Sequence, residues 1–457
     1  VGPAGDLEAP SDTAAYAVDA RELYHGKTPL VLRPSDTREV AAVVRICAEA
    51  GIALTPQGGN TGYCGGATPD ETGEQIVLSL ARMNRIRHVD PHNYTITADA
   101  GCILVALQQA AEEADRLFPL SLGAEGSCQI GGNLSTNAGG VAVLRYGNTR
   151  DLVLGLEVVL PDGSVWDGLR RLRKDNTGYD LKQLFLGAEG TLGIVTAAVL
   201  KLFPRPQETA TSFVVLPSAG AALQLLSRMR SATSDGVTSF EYVHRKCIDL
   251  VLAHVEGTSD PFDETYEHYA LIECSAGRKV SGVAALVEEA LGEAFEAEEI
   301  SNAVIASSGQ QAAALWRLRE TIPEAQKLAG AGLKHDISVP LTNVPVFLER
   351  ATATAERMIP GVRVIPFGHM GDGNIHFNLS RPPGSDGREM MAKAHDLEVA
   401  VHDLAVELDG SFSAEHGVGK LKTGELARYK SDVELDLMRT VKSVLDPGAI
   451  MNPGKIL

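Results

Sequence analysis

Four glycine-rich clusters between residues 56 and 193 constrain the fold of this chain more than any other feature. Consecutive backbone N–H groups in such loops form concave nests that bind a diphosphate, and glycine lets the backbone approach a flat ring closely. Any one cluster is equally compatible with an ordinary turn. Together they predict a large, extended ligand that contains a diphosphate. The clusters occupy residues 56–66, 123–133, 135–140 and 187–193.

Neither of the two common nucleotide motifs accompanies these clusters. No GxGxxG motif follows a predicted strand, and the chain has no Walker A sequence. The clusters therefore do not support a Rossmann dinucleotide site or a P-loop.

Short strand-like runs alternate with helical patterns between residues 28 and 205. A helix is predicted over 37–51, where apolar residues recur with helical spacing. Strands interleaved with helices indicate an α/β or α+β sheet domain. The strands are predicted at 30–32, 52–55, 76–80, 95–98, 154–160 and 194–202.

The glycine density drops after Pro204-Arg205-Pro206, which we interpret as a domain boundary. A chain of 457 residues also exceeds what one hydrophobic core usually serves. Helices dominate after Pro382. Beyond the boundary the pattern predicts strands at 271–274 and 303–306, and helices at 282–292 and 344–358.

Two short stretches near the C-terminus, 368–376 and 415–417, place three histidines and two carboxylates among glycines. Two imidazoles and a carboxylate can bind a divalent metal, and a further histidine can act as a base. We expect Gly371-Asp372-Gly373 to fold the chain back and bring His369 and His376 together. The alternative is a pair of tight turns that merely contain histidines.

Composition excludes several classes of function. The formal net charge of −18 argues against nucleic acid as a partner, and an acidic substrate would need local cations. The six cysteines are scattered without a CxxC pair, so we expect no disulfide framework. Because no apolar run approaches ~20 residues and the first residues lack the pattern of a signal peptide, we expect a soluble, cytoplasmic protein with no membrane span.

The glycine loops and the closing Asn452-Pro453-Gly454-Lys455 together resemble the FAD-binding domain of the vanillyl-alcohol oxidase/p-cresol methylhydroxylase superfamily. The two histidine motifs resemble its branch of FAD-dependent D-2-hydroxyacid dehydrogenases, which includes enzymes for D-lactate and D-2-hydroxyglutarate. The resemblance implies an α+β fold with a two-subdomain FAD-binding domain. That domain would span 1–206 and be completed by 445–457, followed by an α+β substrate domain at 207–380 and a helical portion at 381–444 that carries part of the active site.

The resemblance also implies which residues contact the FAD. Because His88 and His92 lie outside the glycine loops, we expect non-covalent rather than histidine-linked FAD. The implied contacts are Pro56, Gln57, Gly58, Gly59, Asn60, Thr61, Gly62, Gly126, Ser127, Gly131, Gly132, Asn133, Thr136, Asn137, Gly139, Gly140, Glu189, Gly190, Gly193, Ile194, Val195 and Asn452.

At the substrate end, the resemblance implies that His369, His376 and Glu415 bind a divalent metal, usually zinc, and that His416 is the catalytic base. Asn374 would then bind the substrate carboxylate.

Arg319 and Lys334 match positions that grip the carboxylates of D-2-hydroxyglutarate, which is the first substrate we expect. Pro323, however, stands where that subfamily often has a substrate-contacting Thr. D-lactate and D-malate therefore remain alternative substrates.

Several questions stay open from the sequence. The electron acceptor is expected to be an electron-transfer flavoprotein, a quinone or a cytochrome, and a homodimer is expected from the resemblance alone. A flavin oxidase or reductase that acts on a sugar or an enolpyruvyl nucleotide is an alternative, but it gives no reason for the histidine set. A flavin-bearing subunit without its own catalysis is the non-enzyme alternative.

Overall fold

The computed structural model describes residues 1–2, 4–278, 282–330 and 332–457. Within them the chain forms two compact units. Unit 1 consists of Val1–Gly139, Gly147–Arg205 and Glu415–Leu457, and unit 2 of Gly140–Tyr146 and Pro206–Ala414. None of the helices in the described residues has both the length and the apolar character needed to cross a bilayer.

The strands and helices are numbered in chain order. The strands are β1 (Asp6–Leu7), β2 (Val31–Leu32), β3 (Leu54–Gln57), β4 (Ile76–Ser79), β5 (Ile86–Asp90), β6 (Thr95–Asp99), β7 (Arg116–Leu117), β8 (Val153–Val159), β9 (Val165–Gly168), β10 (Ile194–Lys201), β11 (Phe203–Pro204), β12 (Glu208–Leu216), β13 (Val237–His244), β14 (His268–Ala276), β15 (Asn302–Ile305), β16 (Gly332–Leu333), β17 (Asp336–Ser338), β18 (Arg363–Gly368) and β19 (Asn374–Ser380). The α-helices are α1 (Pro10–Thr13), α2 (Thr37–Ala50), α3 (Leu104–Glu113), α4 (Ile130–Thr136), α5 (Val143–Tyr146), α6 (Lys182–Phe185), α7 (Ala221–Ala232), α8 (Arg245–His254), α9 (Val283–Glu296), α10 (Gly309–Glu320), α11 (Ile322–Leu328), α12 (Val344–Met358), α13 (Arg388–Ala392), α14 (Ala394–Glu407), α15 (Thr423–Tyr429) and α16 (Asp432–Leu445).

Unit 1 contains a four-stranded sheet in the order β1-β2-β4-β3 and a five-stranded sheet in the order β5-β6-β10-β8-β9. The contacts of β2 and β3 with β4 are parallel, whereas the five-stranded sheet is antiparallel. The C-terminal stretch joins the first sheet beside β3, where the Asn452 N–H donates to the Leu54 carbonyl. One core cluster packs α2 against residues of both sheets and of the C-terminal stretch.

Helix α2 shows how local sequence sets an element of this unit. The Asp36 carboxylate caps it by accepting from the Glu39 N–H at 2.9 Å, and Gly51 ends it in a left-handed conformation. Buried apolar residues recur on one face, as the pattern over 37–51 predicted. That prediction is confirmed.

Unit 2 is built on an eight-stranded antiparallel sheet in the order β15-β12-β14-β13-β18-β19-β16, with β17 also paired to β19. One face packs against α7, α9, α12 and α14, and the other against α8, α10 and α11. Because side chains alternate between the two faces of a strand, each central strand contributes to both cores.

Most of the predicted elements are present, with shifted ends. Helix α12 has the predicted bounds, and the strand predicted at 271–274 is the middle of β14. The helix predicted at 282–292 continues through Gly292 to Glu296, because a helix tolerates an interior glycine at a cost of about 1 kcal/mol. The strand predicted at 52–55 begins two residues later, at Leu54.

Candidate active site

A cleft in unit 1, with about 890 Å³ of open space, is lined by residues of all four glycine clusters. Its walls come from the loop after β3, from helix α4, and from the turn that leads into β10. His416, in the C-terminal segment of the same unit, also borders it. The cleft is thus a candidate cofactor site with a histidine at its wall.

Buried polar atoms in this wall fit a cofactor that carries N–H groups. Among the described residues, no group donates a hydrogen bond to Gln129 Oε1 or Asn133 Oδ1, and both atoms are buried. A buried acceptor without a partner costs free energy, so both atoms favour a ligand with donors. FAD offers such donors on its flavin and adenine rings, and the residues present therefore fit it.

The structure brings most of the predicted cofactor residues to this cleft. Gly126, Ser127, Asn137, Gly139 and Gly140 do not border it in the part of the chain that the structure describes. Asn452 does not border it either, but its side-chain amide donates to the carbonyls of Gly66 and Glu189, which do. The predicted residues that line it are Pro56, Gln57, Gly58, Gly59, Asn60, Thr61, Gly62, Gly131, Gly132, Asn133, Thr136, Glu189, Gly190, Gly193, Ile194 and Val195.

The prediction missed several residues that line the cleft. Most of them lie inside the glycine clusters or next to them, so the cluster pattern could have included them. Leu80 could not be found in this way, because it enters from the end of β4. The missed residues are Cys64, Gly66, Ala67, Leu80, Cys128, Gln129 and Ser135.

Glu189 connects the cofactor wall to the segment that follows His416. Its carboxylate is buried and accepts the N–H groups of Val418 and Gly419, each at 2.8 Å. Burial raises the pKa of this carboxyl, and the two N–H bonds oppose that rise. The ring of His416 packs edge-on against Tyr63, with centroids 4.8 Å apart. The His416 segment is therefore fixed to the wall of the cleft.

In unit 2, a hairpin of β18 and β19 brings two histidines together. His369 follows β18 directly, His376 lies in β19, and their ring centroids are 5.4 Å apart. The turn between them ends at Gly373, which has a φ of 83°. The expected reversal at Gly371-Asp372-Gly373 is confirmed.

Glu241 in β13 is a site residue that the sequence did not single out. Its side chain is 1 % exposed, and Oε1 is 2.7 Å from His369 Nδ1. Its other oxygen, Oε2, accepts a hydrogen bond from Arg319 Nε at 2.7 Å and forms a salt bridge with Arg319 Nη2, also at 2.7 Å. Burial raises the pKa of Glu241, but His369 and Arg319 outweigh it and lower that pKa to about 2. A charged glutamate thus joins His369 to Arg319.

A second buried acid stands beside the other histidine. Asp336 in β17 is the register partner of His376, and its Oδ1 is 3.6 Å from His376 Nδ1. The Asn374 amide nitrogen donates to Asp336 Oδ1 at 2.9 Å and to the Ile337 carbonyl at 2.8 Å. Since this nitrogen is the side chain's only donor, the geometry favours a structural bond over the predicted contact with a substrate carboxylate.

The remaining predicted substrate residues lie in the same unit. The Arg319 guanidinium is buried, and its carbon lies 4.8 Å from the centre of the Phe367 ring. Lys334 is exposed just before β17. Pro323 occupies the first turn of α11, where the missing N–H has no helical partner to lose.

Glu415, the third predicted metal ligand, is the first residue of the last segment of unit 1. Its carboxylate lies against Gly139, where a Cβ atom would collide with Glu415 Oε1. Glycine at position 139 therefore leaves room for this side chain.

Known protein families match both the N-terminal and the C-terminal part of the chain. Residues 28–168 match the FAD binding domain family, and residues 205–456 match the C-terminal domain of FAD linked oxidases. A crystal structure of p-cresol methylhydroxylase with bound substrate superposes with a TM-score of 0.77 at 17 % identity, covering 100 % of this chain and 94 % of that one. The expected α+β fold of this superfamily is confirmed.

Full-length relatives carry dehydrogenase names. A mitochondrial D-2-hydroxyglutarate dehydrogenase of Bos taurus is 39 % identical over 100 % of this chain and 82 % of its own length. A D-2-hydroxyglutarate dehydrogenase of Xanthomonas citri is 37 % identical, covering 98 % of this chain and 93 % of that protein. A protein of Schizosaccharomyces pombe, provisionally named a mitochondrial D-lactate dehydrogenase, is 39 % identical over 98 % of this chain and 85 % of its own length.

The expected cytoplasmic location is wrong, because the relatives from Bos taurus and Schizosaccharomyces pombe are named as mitochondrial proteins. The composition of a folded domain does not indicate its cellular compartment, because a removable leader segment directs a protein there. The matches to both domain families and to full-length relatives establish the identity of the fold and the class of reaction. The chain belongs to the family of FAD-linked oxidases and is an FAD-dependent oxidoreductase.

Proposed function

We propose that this protein oxidises a D-2-hydroxy acid to the 2-oxo acid, with D-2-hydroxyglutarate as the first substrate. The observation that carries the proposal is the Glu241 carboxylate, which joins His369 to the cation Arg319. Arg319 can recognise an acid, and a fixed imidazole can bind or polarise its 2-hydroxyl group. The names of the full-length relatives support the same substrate class.

We further propose that His369, His376 and Glu415 hold a divalent metal, zinc being the first to test. Both histidines have Nδ1 directed at a buried carboxylate, Glu241 or Asp336, as metal-binding histidines commonly do. The Ala414 N–H donates to the Asp336 carbonyl, and Asp336 pairs with His376. Because Glu415 follows Ala414 directly, the covalent chain supports its place as the third ligand.

In the proposed oxidation, a ring nitrogen of His416 accepts the proton of the substrate 2-hydroxyl group. Glu189 keeps the segment after His416 against the cofactor wall, and Glu241 fixes the orientation of the His369 ring. Bound FAD supplies the acceptor for the 2-hydrogen as hydride, and a bound divalent metal lowers the pKa of the hydroxyl. The substrate becomes a 2-oxo acid after losing one hydride and one proton.

D-lactate is the second candidate substrate, for a reason found in the structure. Two nitrogens of Arg319 already face Glu241, so a bidentate grip on a distal carboxylate would compete with that bond. D-lactate has no distal carboxylate and would not need this grip. A relative from Schizosaccharomyces pombe carries the corresponding name.

Anaerobic flavin bleaching tests the proposal. The metal-replete holoenzyme is mixed with D-2-hydroxyglutarate, D-malate, D-lactate and their L-enantiomers, and the flavin absorbance near 450 nm is followed. We expect bleaching by D-acids only. The variant His416→Ala should bind the same amount of FAD and bleach at least about 100-fold more slowly.

Lys334→Gln separates the two candidate substrates. It should raise the KM for D-2-hydroxyglutarate and leave that for D-lactate unchanged if Lys334 holds a distal carboxylate. If no D-acid bleaches the flavin, the proposal is wrong.

A further inference from the structure

An exposed, basic loop lies between β9 and α6. We call residues 170–181 the basic loop. Each of its residues is exposed, and they include the cations Arg170, Arg171, Arg173 and Lys174 against the carboxylates Asp175 and Asp180. The loop is thus positive within a chain whose formal net charge is −18. Such a local reversal of sign favours attraction of an acidic partner.

Three of these cations form no salt bridge within the described residues. Arg170 is 3.6 Å from Asp175, and the nearby Lys182 pairs with Asp180 at 2.6 Å. In the described part of the chain, no carboxylate forms a salt bridge with Arg171, Arg173 or Lys174. Burial lowers the pKa of Lys201, the charge of Asp151 opposes this shift, and the charges of Arg173 and Lys182 add to it, so both of these cations lie close enough to Lys201 to act on it.

Large apolar side chains stand among the charges. Tyr179 is 96 % exposed and Leu172 is 55 % exposed, and Val165, Leu181 and Leu184 nearby are also exposed. Val165 belongs to β9, which is the edge strand of the five-stranded sheet. Aromatic and apolar anchors with a rim of charge are typical of protein-binding surfaces.

The basic loop is joined to the wall of the cofactor cleft. It leads through α6 into Gly187, whose N–H donates to the Leu134 carbonyl, and Glu189 N–H donates to the Ser135 carbonyl. Ser135 and Glu189 both line the cleft. Trp166 in β9 packs on Phe185 of α6, with ring centroids 5.7 Å apart. A protein seated on the loop would therefore contact a segment that runs directly into the wall of the cofactor cleft.

We propose that the basic loop is the docking surface for an acidic electron-carrier protein. The inference rests on the proposed function, because oxidation of one 2-hydroxy acid to the 2-oxo acid releases two electrons and two protons. The electrons pass to the docked carrier, which is reduced, and the protons pass to solvent. Arg171, Arg173 and Lys174 attract the carrier's carboxylates, and Tyr179 and Leu172 supply the apolar contact.

The test compares a carrier protein with a small dye as the electron acceptor. The holoenzyme, the loop variant Arg171→Gln/Arg173→Gln/Lys174→Gln and the control Arg357→Gln/Arg388→Gln/Arg439→Gln are assayed with dichlorophenolindophenol and with two acidic carriers: an electron-transfer flavoprotein and an acidic c-type cytochrome. The control removes the same charge from exposed residues elsewhere.

We expect the loop variant alone to show a KM for at least one carrier that is raised about tenfold at low salt. Its rate with the dye should equal that of the unmodified enzyme. Added salt should raise the unmodified enzyme's KM towards that of the variant, because screening removes the attraction. Tyr179→Ser should raise the same KM without changing its salt dependence.

Other outcomes overturn the proposal. One is that the unmodified enzyme reduces none of the carriers, and another is that the loop variant and the control have equal KM values. Binding of phosphatidylserine vesicles by the enzyme but not by the loop variant would assign the loop to a membrane surface. A change in oligomeric mass of the loop variant would assign it to a second copy of this chain. Anaerobic bleaching by D-2-hydroxyglutarate would still occur in each case, so failure here is distinguishable from failure of the proposed function.

Discussion

At the scale of single residues, Glu241 is a buried charge whose partners are both candidate site residues. Replacing one charged residue of a buried ion pair leaves the other charge without a partner, which typically lowers the free energy of unfolding by about 3–5 kcal/mol. The carboxylate also fixes the tautomer and orientation of His369, because Nδ1 is held at 2.7 Å. Stability and the orientation of the His369 ring therefore depend on the same side chain.

We predict that Glu241→Gln weakens metal affinity by about 10- to 100-fold while the protein keeps its FAD. The measurement is a competition titration with a chromophoric zinc chelator, with flavin absorbance read in the same samples. Glu267→Gln is the matched control, because Glu267 is 72 % exposed at the end of the same sheet. Unchanged zinc affinity in Glu241→Gln would refute the metal-positioning role.

His244 gives a prediction for pH. Burial, with smaller contributions from His268 and Lys246, lowers its pKa to about 4, and Glu267 opposes this. Its Nδ1 accepts the Lys246 N–H as the cap of α8, which a protonated ring could not do.

The unfolded chain therefore binds this proton at a higher pH than the folded one. As a result, the stability is complete above about pH 6.5 and is lost as the pH falls towards 4. His244→Asn should keep the cap and remove about 2 kcal/mol of the acid-induced loss of stability at pH 4.5. Denaturant unfolding of both proteins at pH 7.5 and at pH 4.5 measures this loss of free energy of unfolding. If both proteins lose the same free energy of unfolding between pH 7.5 and pH 4.5, the prediction is wrong.

At the scale of elements, the β18–β19 hairpin places the histidine pair, and its turn depends on Gly373. This residue has a φ of 83°, and a Cβ atom there would collide with the Val339 carbonyl. Left-handed backbone costs a residue with a side chain about 1–3 kcal/mol even without a collision.

We predict that Gly373→Ala lowers the free energy of unfolding by at least about 2 kcal/mol and reduces the bound metal. Gly292→Ala is the control. Gly292 lies inside α9 with no atom near its Cβ position, so alanine should stabilise the helix by about 0.5–1 kcal/mol. Equal effects of the two changes in chemical denaturation would disprove the strain argument.

The sequence predicted the turn of this hairpin and the helices α2, α9 and α12, because these features depend on local signals. The glycines at 371 and 373 predicted the turn, and the residue pattern over 344–358 predicted α12. Glu241 was out of reach, because β13 meets β18 only through tertiary register, with Tyr242 opposite Gly368. The sequence around a single glutamate in a buried strand does not indicate which histidine the glutamate will contact in the folded protein.

At the scale of the whole molecule, the two candidate sites draw on different parts of the chain. All residues that line the cofactor cleft belong to unit 1, whereas both histidines of the pair belong to unit 2. Taken together, the glycine clusters predicted the cleft. They did not predict where it lies relative to any other element. Residues separated by hundreds of positions meet there, and no local pattern encodes such distances.

We predict that chelation removes the metal and abolishes turnover of D-2-hydroxyglutarate but leaves FAD bound. Metal content, flavin absorbance after gel filtration and activity are measured on one chelated sample, and added zinc should restore the activity. An enzyme incubated without chelator serves as the control. Release of FAD together with the metal would show that the metal supports the fold of the cofactor cleft.

Strand β3 has a further consequence for how this protein is made. Its first residue, Leu54, bonds to Ile450 and Asn452, which emerge from the ribosome some 400 residues later. Most of unit 2 is one continuous stretch, Pro206–Ala414, and can fold during synthesis. The cofactor cleft cannot close until residues 450–452 have been synthesised, so its N-terminal segments remain incomplete until then. Flavin uptake is therefore a late event in the life of the nascent chain, and C-terminal truncation would block it.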